Sequence, residues 1–214
     1  MLVTRRRVAM LTAEFIGAGL ITTIVLTLGK AQDSATYFIA LGVGLTIAAL
    51  ILTVGMISGA HFNPAISLGL WTVRRSSALR TVSYIAAQLL GAAGAYWLFT
   101  YLFDAQLVNT GSFDPRILMA ETFGTMLLAI GVAAAVFNNY KGGKTAATVG
   151  VTIAVGIMVA SIASAGLLNP AVALGVGSWV WGTYVLGPVL GAIIGFNLYA
   201  LLFAPTKEVV KIKE

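Results

Sequence analysis

Long apolar runs separated by short polar segments dominate this chain. Six of them, at 9–29, 37–57, 79–103, 116–137, 145–163 and 182–203, reach the roughly 20 residues that a helix needs to cross a hydrocarbon core about 30 Å thick. Strands of a membrane barrel would be shorter and would alternate apolar with polar positions. Two further apolar pieces, at 64–73 and 170–180, are too short to span, and each begins with a proline. Proline suits the first turn of a helix, where its missing N–H has no intrahelical partner to lose. The pattern predicts an all-α membrane protein: six spanning helices, and two half-helices that enter the membrane and stop.

The two halves of the chain repeat each other. Ala13-Glu14-Phe15-Ile16-Gly17 recurs as Ala120-Glu121-Thr122-Phe123-Gly124, 107 positions on. Gly44-Leu45-Thr46-Ile47-Ala48 recurs as Gly150-Val151-Thr152-Ile153-Ala154, and Asn63-Pro64-Ala65 as Asn169-Pro170-Ala171, both at an offset of 106. Gly91 finds its counterpart in Gly191. Repeats of roughly 9–103 and 116–203 hold three spans each. An odd number turns the second half upside down, with functional sites expected near the midplane where the halves meet.

Composition adds limits. With 59% hydrophobic residues and only 9% charged, against about 25% in ordinary soluble domains, the 214 residues make one membrane domain, 1–214, without room for a soluble one. Cysteine is absent and His61 is the only histidine. Thiolate metal sites and Ser-His-Asp chemistry therefore lack raw material, and neither a cofactor nor an enzymatic role is expected. The formal charge of +6 sorts by loop and calls for no nucleic-acid partner. Arg5, Arg6, Arg7, Arg74, Arg75, Arg80, Lys141, Lys144, Lys207, Lys211 and Lys213 fall on one side, and only Lys30 and Arg116 on the other. Basic loops face the cytoplasm, so both termini should lie there, beneath a plasma or inner membrane, with the basic clusters as solvated anchors. Trp71, Tyr101, Trp179, Trp181 and Tyr199 are candidate interfacial anchors.

Irregular backbone survives at membrane depth only where protein buries it or water wets it. Ser58 to Phe62 and Ser164 to Leu168 would be such backbone. Inversion brings the two half-helices in from opposite faces, tip to tip. Each amino end carries roughly +0.5 of an elementary charge. About one positive charge at the centre is worth roughly 4 kcal/mol against a monovalent cation at about 4 Å and an effective dielectric near 20. A neutral molecule is not opposed. Asn63 and Asn169, at the N-cap positions, would turn their oxygens back to backbone N–H groups. Their amide NH₂ groups would then face the lumen and orient a passing water, interrupting a proton wire.

Ser58-Gly59-Ala60-His61-Phe62-Asn63-Pro64-Ala65 and Asn169-Pro170-Ala171 resemble the paired signature of the aquaporin and glycerol-facilitator family. The likeness covers nearly the whole chain, including Glu14, Glu121 and Gln88. It implies an aquaporin-like fold, a pore in each protomer, a homotetramer, and passive conduction of water or small uncharged solutes of glycerol or urea size. It also implies a central constriction at Asn63, Pro64, Ala65, Asn169, Pro170 and Ala171. The carbonyls of Gly59, Ala60 and His61, and of Ala165, Gly166 and Leu167, would line the two half-pores.

The chain departs from the family at the outer selectivity filter, whose positions map to Val43, Ile157, Gly166 and Val172. The family nearly always has arginine at the last of these, and glycerol-type members have aspartate where this chain has Ala173. Valine removes a fixed positive charge and five hydrogen-bond donors. The expectation is an apolar, permissive filter that passes larger neutral solutes and leaks cations more than its relatives. An apolar ring that dewets and closes is the opposite outcome.

Carboxylates inside spans cost a few kcal/mol and imply a task. Glu14 and Glu121 could relay protons or hold the pore loops; the repeat and the resemblance both favour loop support. His61 could sense pH, but packing beside its half-helix while supplying a pore carbonyl is the better reading. Glycines four apart (Gly55 and Gly59; Gly187, Gly191 and Gly195) suggest close helix packing. Ion-coupled transporters also use inverted repeats, and a closed-pore structural membrane protein could share this sequence pattern. Flux proportional to the gradient would separate a channel from both.

Overall fold

The computed structural model describes residues 4–30, 36–104 and 112–205; Lys207, Lys211 and Lys213 of the basic side lie outside them. The first repeat comprises α1 (Arg5–Lys30), α2 (Thr36–Thr53), a single turn α3 (Gly55–Ser58), the half-helix α4 (Pro64–Thr72) and α5 (Ala78–Phe103). The second comprises α6 (Pro115–Phe137), α7 (Gly143–Ala160), the half-helix α8 (Pro170–Gly175) and α9 (Leu186–Leu202), which a π-helical turn at Trp181–Val185 leads into. Among the described residues, six helices are long and apolar enough to cross a membrane, and there is no strand. Their outer faces carry apolar side chains into the surroundings, Leu45 at 71% and Leu201 at 80% exposure among them, as a lipid-facing surface requires.

The packing repeats with the sequence. Helix α1 packs on α5 as α6 does on α9, and α1 on α2 as α6 on α7. The half-helices cross over: α4 lies against α9 and α8 against α5. Helices α2 and α7 meet on the symmetry axis, where a Cβ on Gly44 would come 2.6 Å from the Gly150 carbonyl and one on Gly150 would come 2.7 Å from that of Gly44. Backbone contact of this kind is available only without a side chain. Gly187, Gly191 and Gly195 likewise set α9 against the backbone of α6.

Several boundaries differ from the apolar pattern. The run expected at 37–57 breaks after Thr53, whose hydroxyl turns back to the Ala49 carbonyl at 2.8 Å, and the chain re-enters as α3. Gly59, at φ 96° with its N–H on the Gly55 carbonyl, ends that turn. It is a left-handed cap, not a packing glycine. The run at 145–163 leaves the helix after Ala160. The second half-helix, expected to reach 180, ends at Gly175 in a Schellman turn, with Gly177 left-handed and the Ser178 N–H on the Ala173 carbonyl at 2.8 Å. The first ends alike, with Arg74 left-handed and Arg75 N–H on the Leu70 carbonyl at 2.8 Å.

Candidate functional site

The two proline-started half-helices meet at their amino ends. Asn63 caps α4 by accepting the Ala65 N–H at 2.8 Å, and Asn169 caps α8 by accepting that of Ala171 at 3.0 Å. Each amide nitrogen then crosses to the other half. Asn63 Nδ2 donates to the Leu168 carbonyl at 2.8 Å, and Asn169 Nδ2 to the Phe62 carbonyl at 3.0 Å. One N–H of each amide is therefore committed to the opposite tip, which corrects the expectation that the whole NH₂ is free. One N–H per asparagine remains, and its direction is set by the clasp. Both asparagines are 3% exposed. Pro64, Pro170, Ala65 and Ala171 form the first turns around them, all buried.

The loops leading to these tips are held in a conformation that costs energy. Ala60 and Phe62 sit at φ 56° and 52°, Gly166 and Leu168 at φ 64° and 51°. For residues with a Cβ the left-handed region costs roughly 1–2 kcal/mol each. Alternating handedness turns successive N–H groups toward one point, a nest for an anion. Glu14 fills the first nest, accepting from His61 N at 3.0 Å and Phe62 N at 2.6 Å. Glu121 fills the second, accepting from Leu167 N at 3.0 Å and Leu168 N at 2.7 Å. Both carboxylates are completely buried, and these backbone donors offset their burial. Ser58 and Ser164, each five residues before its asparagine, receive the N–H of Ala60 and Gly166 at 3.0 and 2.9 Å. Ser164 also donates to Glu121.

Gln88 Nε2 donates to Glu14 at 2.7 Å and to Ser67 Oγ at 3.1 Å. Ser67 pairs with His61 Nδ1 at 3.0 Å, and the His61 ring stands edge-on to Tyr84 at 4.9 Å. Sequence reading missed two supports. Arg80, expected to be a solvated anchor, is half-buried and donates to the Ser58 carbonyl, which Tyr84 also reaches at 2.7 Å. The available signal was the polar stripe Arg80, Tyr84, Gln88 at four-residue spacing inside an apolar span, one face of α5.

Among the described residues, no hydrogen bond ends on the carbonyls of Gly59, Ala60, His61, Ala165, Gly166 or Leu167, so these acceptors remain open. Val43, Ile157, Gly166 and Val172 come together around one cavity of about 10 Å³, shared with Asn169, Ala165 and Leu167 and walled by Ile21, Val25, Ile39 and Ile153. That is about the volume one water needs. Its side-chain wall is aliphatic apart from Asn169, and Val172 is 1% exposed.

The family model described as major intrinsic protein matches residues 2–199. Aquaporin AqpM of Methanothermobacter thermautotrophicus is 35% identical over 186 residues, 77% of this chain and 76% of its own. Aquaporin-4 of Bos taurus is 30% identical over 222 residues, covering 92% of this chain and 68% of its own. The X-ray structure of the aquaglyceroporin from Plasmodium falciparum, 22% identical in sequence, shares the fold with a TM-score of 0.77 over 92% of this chain and 97% of that one. The chain belongs to the major intrinsic protein family: it is an integral, multi-pass membrane protein and a passive channel for water and small solutes, not an enzyme.

Proposed function

We propose that each protomer conducts water and small uncharged solutes along the open carbonyls of Gly59, Ala60 and His61, past Asn63 and Asn169, and out along Ala165, Gly166 and Leu167 through the ring of Val43, Ile157, Gly166 and Val172. The observation that carries this path is the clasp of the two opposed helix tips. It holds two amide donors at the midplane, where the helix ends oppose cations. Glu14 and Glu121 serve the loops and do not relay protons, since both oxygens of each accept loop N–H groups. The termini are cytoplasmic, on the side of the arginine-rich loops. The protomers form a homotetramer, and a native mass spectrum from detergent tests this.

The filter is apolar and permissive in this reading, because valine and isoleucine methyls offer a solute no strong binding site. Stopped-flow shrinkage of proteoliposomes, with sucrose, glycerol or urea as osmolyte, tests it. Water flux well above empty liposomes is expected, with glycerol and urea following. Water flux with both solutes excluded would overturn the permissive filter. The cavity of about 10 Å³ favours a second reading, an aliphatic ring that dewets and closes at rest. Baseline flux in the native chain, restored by Val172→Ala, would select it.

A further inference from the structure

Hydrogen bonding around the second loop is lopsided: its donors are spent and its acceptors are not. The backbone N–H of Gly166 goes to Ser164 Oγ at 2.9 Å, and those of Leu167 and Leu168 go to Glu121 at 3.0 and 2.7 Å. Past the asparagine, Ala171 and Val172 turn theirs to Asn169 Oδ1 at 3.0 and 3.5 Å, and Ala173 to the Asn169 carbonyl at 2.9 Å. The backbone of Ala165 is bonded to the Tyr184 phenol. The neighbouring hydroxyls are committed too. Ser161 donates to the Ile157 carbonyl at 2.6 Å and Ser164 to Glu121, and a hydroxyl has a single hydrogen to give.

Against these stand the carbonyls of Ala165, Gly166 and Leu167, on which no hydrogen bond ends among the described residues. Val43, Ile157 and Val172 meet the same cavity with methyl groups, and of its lining residues only Asn169 has a side chain able to donate. One N–H of that amide is already held by the Phe62 carbonyl at 3.0 Å. The first half differs, because Arg80 brings a guanidinium to the Ser58 carbonyl, 3.2 Å from where a Cβ on Gly59 would stand. A passage of acceptors stabilises a solute that brings N–H or O–H groups. It leaves a bare acceptor without a partner, which costs as much as any buried unpaired oxygen, and sites built for a hydrogen bond reject the analogue lacking it.

We propose that the second half-pore sorts neutral solutes by the direction of their hydrogen bonds, passing donors and refusing those that only accept. The inference rests on the carbonyl path proposed above. It runs against width and oiliness, since a wall of methyl groups alone would favour the more methylated solute. The test is uptake by proteoliposomes of the full chain, with the rates of empty vesicles subtracted, using thiourea and dimethyl sulfoxide. The two match in heavy-atom count. Thiourea carries N–H donors and a weak sulfur acceptor; dimethyl sulfoxide carries a strong oxygen acceptor and no donor. Thiourea should enter about tenfold faster. Val172→Asn, which adds N–H donors in no greater volume, should cut that ratio roughly fivefold by speeding dimethyl sulfoxide. Val172→Ala, which only widens the ring, should speed both and hold the ratio within about twofold. The native ratio carries the test alone if the asparagine variant fails to fold, and Val172→Ala supplies it if the ring is shut at rest. Thiourea held back, or entering no faster than dimethyl sulfoxide, would overturn the sorting, as would equal ratios in the two variants. Water flux at the empty-vesicle rate in the native chain and Val172→Ala alike would overturn the path itself, and the sorting with it.

Discussion

From Ser58 to Asn63 the first loop sits in polar company, with Glu14, Gln88, Ser67, His61, Arg80 and Tyr84 tied to it or to one another. From Ser164 to Asn169 the second loop has Glu121, its own Ser164 and Tyr184, the counterpart of Tyr84, which reaches Ser164 and the Ala165 backbone. In the register of Gly91 and Gly191, Val180 stands where Arg80 would be and Pro188 where Gln88 would be. The backbones are nevertheless near copies, φ 56° and 52° in one and 64° and 51° in the other. The carboxylate in its nest is therefore the shared device that fixes the loop. The remaining polar residues set the local field, with a guanidinium beside the first loop and valine at the matching position 180 of the second half.

The largest test of that contrast is removal of the anchors. Glu121→Ala leaves two buried N–H groups without partners, at about 1–3 kcal/mol each. A Tm loss on the order of 10 °C is expected, taking roughly 2–4 °C per kcal/mol. Glu14→Ala should lose less, because Gln88 and Ser67 remain nearby to accept or relay hydrogen bonds; equal losses by calorimetry would erase the asymmetry.

Next in size are the positions where the halves should respond alike. A Cβ on Gly91 would fall 2.1 Å from the Phe15 carbonyl, and one on Gly191 2.2 Å from that of Thr122. Gly91→Ala and Gly191→Ala should each destabilise by about 1–3 kcal/mol, and a clear inequality would break the inverted symmetry at this level. Tyr84→Phe touches one half only. It removes the phenol from the Ser58 carbonyl, a net loss of about 1 kcal/mol, read as a Tm drop of roughly 2–4 °C.

The smallest effect lies at the entry of the second half. Arg116, bonded to Asp114 at 2.8 Å, holds that carboxyl below its ordinary 3.8, at about 2. A depressed pKa stabilises the fold above pH 3.8 and is lost as pH falls toward 2. The small Tm difference between the native chain and Asp114→Asn should therefore be present at pH 7 and vanish between pH 4 and 2. A difference that grows on acidification would contradict the assignment.

Much of this architecture was legible because membrane crossing imposes run lengths. The six spans, the two half-helices and the doubled Asn-Pro-Ala needed only hydropathy and spacing. Helix ends were less legible, since Val54 to Ile57 continues the apolar run while the backbone has already turned. The partner of each asparagine amide was hidden for a similar reason: it belongs to the opposite half, some 105 residues away. Arg80 read as a loop anchor because composition cannot say that a guanidinium bends inward to a carbonyl.

The reciprocal bonds between Asn63 and Leu168, and between Asn169 and Phe62, bear on how turnover can occur. A carrier that exposes its cargo to one side at a time must rock one repeat against the other, and that motion would tear both bonds at once. With its halves latched at the very point where such a carrier would pivot, this molecule has no stroke to make. Its throughput should scale with driving force without a plateau, and should rise with temperature only about as steeply as the fluidity of water.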